Sequence, residues 1–139
     1  MSQIIFTDHS ARRGALVPML KGIYGLLADN AKRTKTSELE NIITWQHKMR
    51  QHLVDVHWRF ITAVEDTQVV GVLFYRYQGA DAFLELVAVA PRHQQAVVSG
   101  FLAKLALDTK AKDATFYNQS QGHIGGLPDL GLALGAWDA

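Results

Sequence analysis

The chain contains no cysteine. That excludes disulfides, thiolate ligation of zinc or iron–sulfur clusters, and a cysteine nucleophile. It also lacks an excess of charge: 14 Lys+Arg against 13 Asp+Glu leave a formal +1, too little for the long-range basic field that favours a nucleic-acid partner. No apolar run reaches the ~18 residues of a membrane span. The start Met1–Phe6 has neither the basic residues nor the long apolar stretch of a signal peptide. These absences predict a soluble, cytoplasmic protein with no membrane or nucleic-acid partner. What is present is globular: 48% hydrophobic and 19% charged residues over 139 positions exclude a disordered chain. The length fits one domain, residues 1–139, able to bury roughly two-thirds of its unfolded surface.

Gln3–Phe6 reads as a strand, and Thr7-Asp8 as a helix start. Leu16, Met19, Leu20, Ile23, Leu26 and Leu27 recur at helical spacing, with Pro18 marking a kink or the first turn. The pattern predicts a helix failing by Asp29-Asn30 and a basic loop over Ala31–Thr36. Ser37-Glu38-Leu39-Glu40 is a capping-box sequence. It opens a second helix striped by Leu39, Ile42, Ile43, Gln46, Met49 and Leu53, with Trp45 off that stripe.

From His57 the period becomes two. Turns at Glu65–Gln68 and Gly79–Asp81 divide three strands of an antiparallel meander, the third being the apolar Phe83–Ala90. Pro91 stops it, a helix carrying Val98, Phe101, Leu102 and Leu105 follows, and Ala114–Tyr117 is a further strand. That strand–helix–strand passage predicts a parallel pair. The fold class is therefore α/β with a mixed sheet.

The order β-α-α-β-β-β-α-β, with Leu86-Val87-Ala88-Val89-Ala90-Pro91 leading into a helix, resembles the GNAT superfamily of acyl-CoA-dependent N-acyltransferases. The resemblance runs from Gln3 to about Asn118. It implies an acyltransferase moving an acyl group from acetyl-CoA to the amine of a small molecule or peptide. In that family Gln/Arg-x-x-Gly-x-Gly/Ala opens the pyrophosphate site, because a helix start offers free amides and glycine allows close approach. The aligned residues are Gln94, Gln95, Ala96, Val97, Val98 and Ser99. The motif is degraded: Val97 stands at the central glycine, where a β-branched side chain is expected to block approach, and Ala96 replaces a basic residue. With the motif in this state, the alternative is a GNAT-fold binding or regulatory module that uses no acyl-CoA.

The same resemblance implies Glu85 as general base, with a pKa raised by its apolar run; the residues alone also allow a strand Glu that faces solvent or pairs with Arg76 across the hairpin. It implies backbone groups of Val87 and Val89 as the pantetheine contacts, Tyr117 as the acid that reprotonates the thiolate, although Tyr117 reads equally well as a core aromatic, and Asn118 as a polar neighbour of the cofactor. It further implies that Arg33, Lys35 and Trp45 border the acceptor, with Trp45 reading equally well as an interface residue.

No metal is expected. His47, His52 and His57 are five apart, which turns each by about 140° around a helix, and no HExxH motif occurs. His9 reads as a surface residue at a helix start. The tail from Gly122 is glycine-rich and apolar. It leaves room for one short helix and one short strand, the strand over Leu132–Trp137, in place of the family's closing hairpin. An edge so exposed predicts a homodimer with the tail in the contact.

Overall fold

The computed structural model describes residues 3–9, 16, 18–34, 37–54, 57–118 and 122–135. The elements run β1 (Ile4–Asp8), α1 (Leu20–Thr34), α2 (Glu38–Val54), β2 (Trp58–Glu65), β3 (Gln68–Gln78), β4 (Asp81–Val89), a 3-10 turn (Pro91–His93), α3 (Gln94–Ala106), α4 (Thr109–Asp113), β5 (Thr115–Tyr117), β6 (His123–Gly125) and α5 (Leu127–Gly135). The strands form one sheet in sequence order. Every neighbouring pair is antiparallel except β4–β5, which is parallel as the strand–helix–strand passage predicts.

Alternation along the meander divides the core in two. Leu73, Tyr75, Leu84, Val87 and Val89 point to the layer formed by α3 and α5. Val72, Phe74, Leu86 and Ala88 point to the layer formed by α1 and α2. Close helix–sheet contact needs missing side chains. A Cβ on Gly100 of α3 would fall inside the Phe6 ring of β1. One on Gly71 of β3 would lie 2.5 Å from Val97 Cγ1. Both glycines therefore seat α3 on the sheet. Among the described residues no helix is long and apolar enough to cross a membrane.

Thr7 and Asp8, expected to start a helix, are instead the last residues of β1. Four further local expectations change. First, α1 does not fail at Asn30 but runs to Thr34, because Ala31 is buried and Arg33 reaches a β4 carbonyl. Pro18 precedes the helix rather than kinking it. Second, the inward stripe of α2 is Ile42, Trp45 and Met49, and Ile43 is exposed. Third, Leu132 lies in helix α5, not in a strand. Leu127, Leu130 and Leu134 recur at i, i+3 and i+7, and Leu130 and Leu134 are buried in the α3 layer while Leu132 is 78% exposed. The short strand comes earlier, at β6; Trp137 lies outside the described residues. Fourth, His9 is not on the surface: it is 1% exposed, with Nε2 2.8 Å from Thr62 Oγ1. The capping box holds in its first half, since the Glu40 amide donates to Ser37 Oγ at 3.3 Å.

Candidate active site

β4 is paired on one side throughout and on the other only at its start. Its bonds to β5 join Asp81, Ala82 and Phe83 to Thr115, Phe116 and Tyr117. Beyond Phe83 no described strand continues that pairing. The register with β3 slips at the same place: Phe74 opposes Leu86 and Tyr75 opposes Leu84, which leaves Glu85 as the extra residue of a bulge. A bulge bends its strand and re-aims a side chain. It therefore both opens the wedge between β4 and β5 and turns Glu85 onto the α1–α2 face.

The open edge carries backbone groups that no strand uses. Ala90 donates to the Val70 carbonyl at 2.8 Å, so Ala90 faces β3. Alternation turns Val89 and Val87 the other way, toward the open edge. Arg33 Nη2 of α1 donates to the Val89 carbonyl at 2.9 Å, which agrees with that orientation.

At the far end of the edge the chain turns into α3. The 3-10 turn closes the amides of His93 and Gln94 onto Ala90 and Pro91. Amides from Val97 onward belong to the helix's own ladder, leaving those of Gln95 and Ala96 in the first turn. A recess of about 410 Å³ lies there, lined by Arg92, His93, Gln95, Ala96 and Ser99. Val97 is not in it. Its side chain is fully buried against Gly71 and Phe101, so the β-branch expected to obstruct this place points into the core. Val98 likewise is buried, in the same layer, and Gln94 lines a second groove of about 500 Å³ between α3 and α5. His93 Nε2 is 3.3 Å from Glu65 Oε1.

Glu85 is 17% exposed and sits between two cations. Arg76 Nε donates to Oε1 at 2.6 Å, and Lys48 Nζ of α2 contacts Oε2. The pairing with Arg76 foreseen across the hairpin is present; the second cation is not foreseen in the sequence. The Arg76 guanidinium lies 4.6 Å over the Phe83 ring. Phe83 stacks on Tyr117 at 5.0 Å, and His123 meets Tyr117 edge-on at 5.7 Å. Lys48 also lies 5.9 Å over Trp58. One row of side chains thus runs across the mouth of the wedge, from Lys48 through Glu85, Arg76 and Phe83 to Tyr117.

The other expected residues fall away from this row. Trp45 is 1% exposed and packs edge-on to Tyr24 at 5.1 Å. It is a core residue, because i, i+3 and i+7 spacing from Ile42 turns it to the sheet, and it cannot border an acceptor. Asn118 closes the β5–β6 turn, accepting the Gly122 amide at 2.7 Å on Oδ1. Arg33 stands at the Val89 end, and Lys35 lies outside the described residues. Lys48 and Arg76 are the site residues that sequence reasoning passed over: Lys48 carries no motif, and Arg76 enters only as a partner of Glu85. Only the bulge, which no residue type announces, brings them to one carboxylate.

No protein-family model and no curated protein sequence matches the chain. Solved structures do. A GNAT-family protein from Desulfovibrio desulfuricans superposes with TM-score 0.55 at 20% identity, covering 84% of this chain and 72% of that one. The chain has the GNAT fold. The PaiA N-acetyltransferase from Thermoplasma acidophilum, solved with coenzyme A, superposes with TM-score 0.48 at 12% identity over 81% of this chain and 79% of its own. The GNAT fold accounts for the order of elements here, including the parallel β4–β5 pair and the helix between its strands.

Proposed function

We propose that the protein is an acyl-CoA-dependent N-acyltransferase, with acetyl-CoA as donor and an amine as acceptor. One observation carries the reading: the free edge of β4 leads without interruption from the Glu85 bulge to the first turn of α3. The residues fit the donor. Ala96 and Ser99 are small, Arg92 brings a cation, and the Gln95 and Ala96 amides suit a phosphate. Val87 and Val89 offer edge groups to an extended amide-bearing arm, and Arg33 must release the Val89 carbonyl if that group is used. Bound acyl-CoA would supply the activated thioester carbonyl. In the exchange an amide C–N bond forms, a C–S bond breaks, and one thiol and one proton are released.

The chain's own part is proton management. Glu85 accepts the proton of the acceptor ammonium once an oxygen is free of its cations. The Tyr117 hydroxyl is assigned the return of a proton to the departing sulfur. A homodimer in contact through the tail belongs to the same proposal, supported by exposed Leu132 and the short edge strand β6; light scattering giving a monomer would remove it. The donor is tested by thermal shift: acetyl-CoA at 100 times its Kd should stabilise by about 2.7 kcal/mol. No shift, and no thiol release with any amine, would overturn the reading.

A further inference from the structure

The row at the wedge mouth does not balance its charge. Lys48, Arg76 and Glu85 are partly buried, at 17%, 26% and 17% side-chain exposure. Among the described residues two cations therefore share one carboxylate, a net +1 in a site only partly open to water, and a half-buried charge without a counter-charge is costly. Their donors are not exhausted. Arg76 spends Nε on Glu85 and Nη1 on Gln78 at 3.2 Å. That leaves Nη2 without an acceptor among the described residues. Lys48 has three N–H donors and, among the described residues, one acceptor, Glu85. A planar anion would fill both vacancies, and Arg in particular matches a carboxylate. Glu85, the acid that the described residues place beside them, suits the opposite end of such a ligand, an ammonium.

Resting on the acyltransferase reading above, we infer that the acceptor is an amine that also carries a carboxylate, a free amino acid or a close relative. Lys48 and Arg76 take its carboxylate and Glu85 faces its ammonium. The ligand's anion replaces Glu85 on the two cations, so binding itself releases the oxygen that accepts the ammonium proton. Amines that carry a second cation in place of the carboxylate meet Lys48 and Arg76 and are rejected.

The experiment has two arms. In the first, acetyl transfer is measured for proteinogenic amino acids and their carboxamides, which differ only in the charge at issue. In the second, calorimetry without coenzyme A compares N-acetyl amino acids with N-acetyl carboxamides. The acids should be preferred by about tenfold or more in both arms, as expected when a partly buried group loses its partner. Arg76→Gln and Lys48→Gln should each erase most of that preference while the acetyl-CoA thermal shift stays as in the parent, and Arg76→Lys should restore part of it. Equal handling of acid and carboxamide, or preference for a polyamine, overturns the inference and leaves the acyltransferase reading standing. Acid-selective binding with no acetyl-CoA shift overturns the acyltransferase reading and leaves the carboxylate site standing. If neither ligand binds, both fall.

Discussion

The sheet carries two charged clusters on opposite faces, and they are built to different rules. On the α3–α4 side, Tyr77 donates its hydroxyl to Asp108 Oδ2 at 2.7 Å, and Lys110 and Arg59 cover its ring at 4.6 and 5.7 Å. Tyr75 packs edge-on at 5.6 Å. Both tyrosines are almost wholly buried, and burial pushes both phenols above their ordinary range, helped at Tyr75 by Asp8 and Asp108 and at Tyr77 by Tyr75 and then Asp108, so they remain donors. Arg59 and Lys110 are matched there by Asp8 and Asp108, whose charges act on the tyrosines. Asp108 also caps α4 by accepting the Lys110 amide at 3.0 Å. On the α2 side, two cations face one acid among the described residues. A polar cluster whose cations are matched by acids and whose tyrosines are buried fixes structure, although Asp8 and Lys110 themselves reach solvent. One left open and unequal can exchange a partner, and it sits where the strand pairing parts.

The comparison breaks most sharply at Glu85. Glu85→Gln keeps the shape but cannot take a proton. Turnover should fall by about a hundredfold or more while acetyl-CoA affinity is unchanged, the pattern of a group acting in proton transfer. Steady-state kinetics beside a thermal shift would show it, and unchanged turnover would remove Glu85 from the chemistry. The closed cluster should behave the opposite way. Asp108→Ala deprives Tyr77 of a charged acceptor and α4 of its cap, for a loss of about 2–3 kcal/mol in chemical denaturation. Tyr77→Phe should cost about half as much, since no donor is left stranded. Neither should alter ligand binding, and a change in acetyl-CoA affinity would mean that the faces are coupled.

What was legible in the sequence follows the same division. Strand alternation, turn residues and the Pro91 stop located the meander and the βαβ unit, because each is a local rule that the core obeys. Trp45 was misplaced because the stripe read from the sequence joined Ile43 and Gln46 to Ile42 and Met49, and only packing on the sheet separates the two faces. Leu132–Trp137 read as a strand on apolarity, whereas Leu130 and Leu134 on one helix face decide it. The open cluster was least legible, since it depends on a bulge and on two cations from separate elements. Val97 is the instructive motif residue, an apparent obstruction that belongs to the closed, packed side. Val97→Ala should cost about 2 kcal/mol of stability and leave acetyl-CoA binding no tighter. Tighter binding would return Val97 to the site.

The smallest effect tests the closed rule on a neutral pair. His9 is buried, hydrogen-bonded through Nε2 to Thr62, and its Nδ1 has no partner. A second proton on the ring would have no acceptor. Burial lowers the His9 pKa from its ordinary 6.5, and the neighbouring Asp8 charge only partly offsets this. The unfolded chain then binds a proton that the folded chain refuses. Stability from this site is full above pH 6.5 and is lost as pH falls below that value toward the folded-state pKa. Melting temperatures of the protein should therefore decline from pH 7.5 to pH 5, and His9→Asn should make that decline shallower. If the two profiles run parallel, His9 titrates freely, and the β1–β2 side of the sheet admits water where the packing shows none.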